Sequence, residues 1–344
     1  MRIGTIKGKR GQKVNGRLRV GETTSQLPVE LPVTIVTGQR PGRTLVVSGG
    51  VHGREALGVL GVGRVLRELN PDEMCGNLVA VPLANMSSFE FGDRVSLWDG
   101  ENLEDAGCGS LDGSLTEQLA HCLCHEVVLK GDAYIELHSS RAESFVWYTI
   151  FFAGVAGVDP TVEASSRQMA LAFGLEQVWE RSPWPAPLKE LAMRQGIPAI
   201  MPEIGGGADF FRTGKEQIAD CARGITNVMK LMGILPGHIE TESPKATIWS
   251  GHTEVFNDAL GGLVLLDCQR GDQLRKGDVF ATKYDPTTGE ELSKIAAPAS
   301  GTVLNTGLVW PVCRGGSFLG VLGDRTQDID LTDHLWMFRQ DEGS

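Results

Sequence analysis

The stretch that decides the fold is GGVHGREALG, residues Gly49–Gly58. It follows a short apolar run, RTLVVS (Arg43–Ser48), and precedes apolar residues at helical spacing over Ala56–Leu69. This order predicts a strand, a glycine turn and a helix. A second apolar run, NLVAVP (Asn77–Pro82), predicts the next strand. Strands that alternate with helices are typical of an α/β fold, with a mostly parallel or mixed sheet and helices on both faces.

The same alternation continues along the next 150 residues. Ser114 is expected to cap a helix, because Glu117 stands three residues later as in a capping box. The further predicted elements are a helix at Leu115–Leu129, a strand at Tyr134–Leu137, a helix at Leu188–Gln195, a strand at Ile197–Met201 and a helix at Glu216–Leu231. Ligands of such sheets bind at the carboxyl ends of the strands, so we expect the functional residues there.

From about Ile239 the helical periodicity disappears. Short strands are then separated by turns, as in GGLVLLDCQRGDQLRKGDVF. This pattern predicts a small all-β unit, a barrel-like sandwich of short strands. We therefore expect a larger α/β domain over residues 1–238 and a smaller β domain over residues 239–344.

Composition excludes several classes of partner. The net charge of -11 over 344 residues argues against nucleic acids and anionic membranes as partners. The basic N-terminal stretch has no apolar run behind it and is not expected to be a secretory signal. The longest apolar run, Ile150–Val158, is about half of the ~20 residues that cross a bilayer. The seven cysteines are scattered without a C-x-x-C pair, which favours reduced thiols and a cytoplasmic location.

Two histidines and a glutamate form a predicted metal site. His52 and Glu55 lie three residues apart at the strand-to-helix turn, and His138 in ELHSS follows another predicted strand. A catalytic zinc ion takes three protein ligands of these types and keeps one position open. The sequence therefore predicts one Zn²⁺ per chain, held by these three residues. Taken alone, H-x-x-E also fits a turn histidine followed by a carboxylate at a helix start.

A second histidine pair offers a competing metal site. His121 and His125 are four residues apart in a predicted helix, which is the spacing of a zinc-binding helix. Cys122 occupies the place of the glutamate in H-E-x-x-H, and the segment does not lie at a strand end. An ordinary helix face is the favoured interpretation, and a second metal stays open.

Two further residues are predicted to act in catalysis. Glu203, in IPAIMPEIGGG, is expected just past a strand, where a carboxylate could take a proton from an attacking water and pass it to a leaving nitrogen. Arg94, in FEFGDRVSLWDGENL, could stabilise the oxyanion that develops as water adds to a carbonyl. A surface glutamate and an exposed arginine are the simpler alternatives.

The order of these motifs resembles the succinylglutamate desuccinylase/aspartoacylase family, which is related to the zinc carboxypeptidases. The motifs are H-x-x-E, a downstream Arg, D-G-x-N-L, E-L-H-S and P-E-I-G-G-G. The resemblance implies a zinc-carboxypeptidase-like mixed sheet and zinc-assisted removal of an acyl group from a small N-acyl substrate. It assigns zinc to His52, Glu55 and His138, acid–base work to Glu203 and carbonyl polarisation to Arg94.

The C-terminal unit, with KGDVF and APASGTV, is similar to the biotinyl/lipoyl-like β domain that follows the catalytic domain in many family members. It lacks the methionine-flanked lysine of a carrier domain. We therefore interpret it as a lid or assembly surface, whose turns could overhang the metal cleft.

The chain departs from the family at the expected substrate anchor. After D-G-x-N-L, members continue with Asn-Arg, whereas this chain has Glu104 and Asp105. The predicted substrate contacts are Asn102, Glu104, Asp105 and Ser139. The substrate could carry a cation or a neutral amide where relatives carry a carboxylate, the acidic pair could face the solvent, or another arginine could supply the anchor. The first of these, with a positive group near Glu104 and Asp105, is the favoured interpretation. The arginines considered for that role are Arg141, Arg181 and Arg194.

Two other functions remain open on the sequence alone: a metallocarboxypeptidase acting on peptides, and a zinc-binding protein without catalysis. The sequence determines neither the acyl group nor the amine, and it leaves a homo-oligomer open. Trp147, Trp179 and Trp184 could wall a pocket near the site, although core packing is the simpler role for each.

Overall fold

The computed structural model describes residues 1–140, 145–181, 187–206, 210–241, 243–307 and 312–331. Helices are α1 Ala56–Glu68, α2 Met86–Phe91, α3 Leu115–His121, α4 Pro160–Phe173, α5 Pro187–Arg194 and α6 Phe210–Leu231, with short 3-10 turns at Pro71–Glu73 and Val128–Lys130. A π-helical turn, Cys122–Val127, continues α3. Within these ranges, no helix is long and apolar enough to cross a membrane.

The strands are, in chain order, β1 Arg2–Ile3, β2 Ile6–Lys7, β3 Gln12–Glu22, β4 Pro28–Thr37, β5 Arg40–Ser48, β6 Cys75–Val81, β7 Ala133–Glu136, β8 Phe145–Phe152, β9 Gln177–Arg181, β10 Ala199–Gly206, β11 Lys245–Phe256, β12 Gly262–Leu266, β13 Gln273–Leu274, β14 Val279–Tyr284, β15 Glu291–Ala296, β16 Gly301–Thr306, β17 Val312–Cys313 and β18 Phe318–Asp330.

Twelve of these strands form one mixed sheet, in the order β13-β16-β18-β11-β9-β8-β10-β7-β5-β6-β4-β3. The central strands β6, β5, β7 and β10 run parallel, so their carboxyl ends meet at one edge. Buried side chains form separate clusters on the two faces of the sheet, as expected for a sheet covered on both sides. The predicted α/β fold with a mixed sheet flanked by helices is confirmed.

The C-terminal strands continue the large sheet and also form a smaller one. β11 pairs in parallel with β9 and antiparallel with β18, so the last hundred residues extend the main sheet. A four-stranded antiparallel sheet, β15-β14-β12-β17, packs around its own core, which includes Val264 and Phe280. The predicted C-terminal β region is therefore present. The division of the chain at residues 238 and 239 stays a prediction.

Two predicted elements differ in their extent. The helix expected over Leu115–Leu129 is α-helical only to His121, and its Ser114–Glu117 capping box is present as predicted. The strand expected to end at Met201 runs on to Gly206, because it pairs antiparallel with β8 from Ile200 to Gly206. Glu203 therefore lies inside β10 and not past the end of a strand.

The prediction that the cysteines are all reduced thiols is wrong for one pair. Cys108 and Cys124 form a disulfide, which joins the long loop before α3 to the π-helical turn. The other five cysteines are free thiols. Sequence spacing could not reveal this pair, because the fold alone brings the loop against the helix.

Candidate functional site

The turn after β5 places His52 and Glu55. β5 ends at Ser48, and the chain turns at Gly50, whose φ of +63° is a conformation that favours glycine. Gly53 packs so closely against Ser88 that an added Cβ would lie 1.7 Å from the carbonyl oxygen of that residue. Glu55 then precedes the first residue of α1. A side chain at position 53 would therefore displace the turn that carries both predicted ligands.

His138 joins this turn from the neighbouring strand. It follows β7 by two residues and forms an isolated parallel bridge with Glu203 of β10. The three adjacent strands β5, β7 and β10 thus bring His52, Glu55, His138 and Glu203 to one edge of the sheet. This convergence is the one that the sequence predicts.

The carboxylate of Glu55 lies between the two histidines. Its Oε1 is 2.7 Å from Nδ1 of His52, and its Oε2 is 2.9 Å from Nδ1 of His138. One ligand atom from each of the three residues lies within 4.8 Å of the others, and all three side chains are buried. Three converging donors of these types are what a zinc ion requires.

The outer nitrogens of both histidines have acceptors. Nε2 of His138 lies 2.9 Å from Oε1 of Glu136, and Nε2 of His52 lies 3.1 Å from Oδ1 of Asn102. A carboxylate and an amide oxygen can only accept, so each Nε2 donates a hydrogen bond, while both Nδ1 atoms face the Glu55 carboxylate. A metal bound between these three residues would take the lone pair of each Nδ1, with the outer nitrogens held by their acceptors. The donor set therefore fits a zinc ion.

The pKa values of the two central carboxyls are shifted in opposite directions. Burial alone would raise the pKa of Glu55, but the adjacent His138 and His52 hold that pKa well below its usual value. Burial raises the pKa of Glu203 to about 7, with His138 opposing the shift and the Glu55 and Glu104 carboxylates adding to it. The pKa of one carboxyl is thus lowered beside the two histidines, and the pKa of the other lies near neutrality, where an acid–base group is useful.

The acidic pair that replaces Asn-Arg is divided between the interior and the solvent. Glu104 points inward, 3.0 Å from Nη2 of Arg94 and 3.7 Å from Nζ of Lys189. Asp105 is exposed and accepts a hydrogen bond of 2.9 Å from Nδ2 of Asn102. The inward carboxylate is therefore already paired with two cations of the protein itself.

A buried network behind the site was not predicted. Lys189 of α5 is 1% exposed and forms an ion pair with Glu136. The hydroxyl of Tyr134 donates to the other oxygen of Glu136 at 2.7 Å and is itself 2.7 Å from Oγ of Ser48. The E-x-H spacing of ELHSS is a signal that could have identified Glu136. Lys189 carries no such signal, because only the tertiary fold brings α5 to this place.

A cavity of about 200 Å³ opens over these residues. It is lined by all of the predicted metal ligands and catalytic residues, and also by Tyr148, which the sequence did not predict. The C-terminal region closes one side of it. The residues from that region are Asn305, Gly307 and Phe318. A cleft overhung by the C-terminal region is thus present, as expected from the sequence.

The other predicted contacts lie as follows. The backbone N–H of Ser139 faces Oε2 of Glu55 at 3.4 Å, at the floor of the cavity. Arg181 packs over the ring of Trp179, with an ion pair to Glu254. Arg194 is exposed and pairs with Glu190. Arg141 and Trp184 lie outside the described residues.

The histidine pair proposed as a competing metal site, His121 and His125, has fewer suitable ligands around it. The rings of His121 and His125 lie 4.4 Å apart. His125 also lies near Cys108 and Cys124, but these two sulfurs are bonded to each other and do not provide thiolates. The described residues therefore give no thiolate ligand to a second site here.

Comparison with known proteins identifies related chains. The model of the succinylglutamate desuccinylase/aspartoacylase catalytic domain matches residues 41–232. The N-alpha-acetyl-L-2,4-diaminobutyric acid deacetylase of Halomonas elongata is 28% identical over 278 residues, 75% of each chain.

Solved structures share the fold. The product-bound ectoine utilization protein EutE (DoeB) from Ruegeria pomeroyi has a TM-score of 0.83 at 22% identity, covering 93% of this chain and 97% of that one. A succinylglutamate desuccinylase/aspartoacylase from Rhodobacter sphaeroides has a TM-score of 0.82 at 23% identity, covering 96% and 99%. The match therefore extends through the C-terminal β region as well.

Proposed function

The chain belongs to the succinylglutamate desuccinylase/aspartoacylase family, and from this premise we propose that it hydrolyses the amide bond of an N-acylated small molecule with one zinc ion. The observation that carries the proposal is the Glu55 carboxylate held between His52 and His138, in one cavity with Glu203. This arrangement provides three ligands and a separate acid–base group, the set that metal-assisted hydrolysis requires.

The metal ligands in this proposal are His52, Glu55 and His138, each through the atoms that converge in the structure. A zinc ion bound there would polarise the amide carbonyl and lower the pKa of a water molecule to about 7. Glu136 and Asn102 hold the histidine rings through their outer nitrogens, which keeps both Nδ1 atoms directed inward.

Glu203 is proposed to move the proton. Its carboxylate takes a proton from the attacking water as the new C–O bond forms, and it gives that proton to the nitrogen as the C–N bond breaks. A pKa raised to about 7 by burial suits both directions of transfer near neutral pH. The products are a free acid and a free amine, so atoms and charges balance.

Arg94 is proposed to face the carbonyl oxygen. It lines the same cavity as Glu203, and its ion pair with Glu104 fixes one edge of the guanidinium. The remaining N–H groups can donate to the oxygen as negative charge develops there. Glu104 is therefore a positioning residue for Arg94 in this proposal.

The size and lining of the cavity favour small amides over peptides. A space of about 200 Å³, closed on one side by Gly307 and Phe318, holds a compact substrate. A carboxypeptidase would also need a cation at the position that Asp105 occupies. The deacetylase of Halomonas elongata acts, by its name, on an acylated diamino acid, which agrees with a substrate of this size.

Release of free amine from N-acyl compounds tests the proposal. We expect the purified protein to hydrolyse at least one of a panel of N-acetyl and N-succinyl amino acids and diamines, to lose the activity after chelation and to regain it with Zn²⁺. A dipeptide panel is the control, with rates at least tenfold lower. Activity that survives complete removal of metal, or that favours dipeptides, would contradict the proposal.

The same panel addresses the charge of the substrate. Because Asp105 is exposed and accepts a hydrogen bond from Asn102, which itself contacts His52, we propose a modest preference, roughly fivefold, for N-acyl compounds that end in an amine over matched ones that end in a carboxylate. A clear preference for the carboxylate that Asp105→Arg leaves unchanged would refute this part and leave the hydrolysis itself untouched.

A further inference from the structure

A second cavity of about 400 Å³ adjoins the metal-site cavity. The two cavities share Tyr148 as a common wall. The second cavity is also lined by Trp179 and Trp249 from the large sheet, and by Thr302 and Leu304 from β16. It therefore lies between the α/β sheet and the C-terminal β strands, directly beside the proposed reaction centre.

The sheet register arranges the aromatic side chains in a row that begins at Glu203. Tyr148 is the direct partner of Glu203, and Trp179 of β9 is the direct partner of Trp249 of β11. Trp179 also pairs with Ile150, two residues from Tyr148 and on the same face of β8. All four side chains thus share one face of neighbouring strands β10, β8, β9 and β11. At ~4.8 Å per strand the row extends from about 5 to about 15 Å from Glu203.

The aromatic rings that line the cavity are held by contacts with their neighbours, and their faces suit a flat ring. Tyr148 and Trp179 meet edge to face, with ring centroids 4.9 Å apart. The indole N–H of Trp249 donates to Oε1 of Gln177 at 2.5 Å, which fixes that ring as well. Aromatic walls of this kind bind aromatic rings by edge-to-face and offset stacking at little cost in side-chain entropy. A volume of about 400 Å³ lies in the range of small-molecule pockets.

The cavity also carries a cation. Arg270 lines it and is the only formally charged side chain among the described residues of the lining. Burial lowers the pKa of its guanidinium. An aromatic lining with a single guanidinium suits a planar ring more than an aliphatic chain or a free ammonium group.

We propose that this cavity, called here the aromatic subsite, binds a planar aromatic ring carried by the N-acyl substrate. The inference rests on the proposed hydrolysis and specifies its substrate class. A substrate with its scissile amide beside Glu203 would place a ring on one side of that amide beyond Tyr148, in the space lined by Trp179 and Trp249. The ring belongs to the amine or to the acyl group, and the experiment separates these two sources.

Two matched substrate pairs test the aromatic subsite. N-acetyl-L-tryptophan against N-acetyl-L-leucine places the ring on the amine side, and N-benzoylglycine against N-acetylglycine places it on the acyl side. We expect kcat/KM to be at least tenfold higher for the ring-bearing member of one pair. Trp249→Ala should reduce that ratio at least fivefold, mainly through KM, and Trp249→Phe should retain most of it.

A second variant and a control keep the result independent of folding. Thr302→Phe fills the aromatic subsite from the opposite wall without removing a ring, and it should lower the same ratio. Leu260→Ala, at a residue that is 70% exposed in the C-terminal region, should leave the ratio at its wild-type value. Ratios near one in both pairs, or a ratio that survives both Trp249→Ala and Thr302→Phe, would overturn the aromatic subsite.

Binding of indole, measured by calorimetry, distinguishes this inference from the proposed hydrolysis. Binding that Trp249→Ala weakens at least fivefold, with no hydrolysis of these four compounds or of the N-acyl panel above, would support the aromatic subsite and contradict the hydrolysis. Hydrolysis of the ring-free compounds, with no ring preference and no indole binding, would retain the hydrolysis and overturn the aromatic subsite.

Discussion

Replacing Glu203 by Gln is expected to lower kcat for amide hydrolysis by about 10²–10⁴-fold, the usual contribution of a positioned acid–base group. The amide has nearly the same shape as the carboxyl but cannot take a proton from water. Glu203 is not among the three metal ligands, so the zinc content should stay at the wild-type value. Steady-state kinetics and elemental analysis of the same preparation measure both quantities.

Glu216→Gln is the matched control, because Glu216 is an exposed glutamate of α6 and has no part in the proposed reaction. It should show wild-type kcat. A Glu203→Gln enzyme within tenfold of wild-type kcat, or one that has lost its zinc, would show that Glu203 has a different function from the proposed one.

Replacing Lys189 by Met is expected to reduce the free energy of unfolding of the metal-free protein by about 3–5 kcal/mol, the cost of removing one partner of a buried ion pair. Lys189 is 1% exposed and compensates Glu136, while it also lies 3.7 Å from Glu104. Its loss leaves buried negative charge beside His138. Urea denaturation gives the value.

Lys215→Met is the control for this prediction, since Lys215 is an exposed lysine on a helix, and it should change stability by less than about 0.5 kcal/mol. The double variant Lys189→Met/Glu136→Gln should lose less free energy of unfolding than the two single variants lose together, because both charges are removed at once. Additive losses would argue that Lys189 stabilises the fold by packing and not by charge.

The sequence was sufficient to predict how the proposed metal ligands converge. Strand, glycine turn and helix around His52 and Glu55 are local patterns, and the alternation of strands with helices places His138 at the same edge of a parallel sheet. These relations depend on short-range periodicity, which a single sequence carries. The sequence patterns predicted only that these residues lie close together, and the family resemblance implied the role of each.

Features that depend on pairing between distant segments could not be predicted, including the place of Glu203 inside a strand. Glu203 lies within β10 because β8 extends that strand, and Tyr148 reaches the site through the same antiparallel pairing. Lys189 is buried only because α5 packs behind Glu136. The Cys108–Cys124 disulfide likewise joins a loop to a helix. No local pattern encodes such contacts.

The junction with the C-terminal strands is a further example. The loss of helical periodicity after Ile239 correctly indicated β structure, but it could not show that β11 adds to the large sheet beside β9. That pairing completes the row of Trp179 and Trp249. The aromatic subsite is therefore a property of the tertiary fold alone.

Zinc content by elemental analysis, compared between wild type, His138→Ala and His238→Ala, tests the central claim most directly. His238 is exposed and serves as the matched control. The proposal predicts about one zinc per chain in the wild type and in His238→Ala, and less than a tenth of that in folded His138→Ala. A His138→Ala protein that retains its zinc, or a wild-type protein that binds none when zinc is supplied, would contradict the claim.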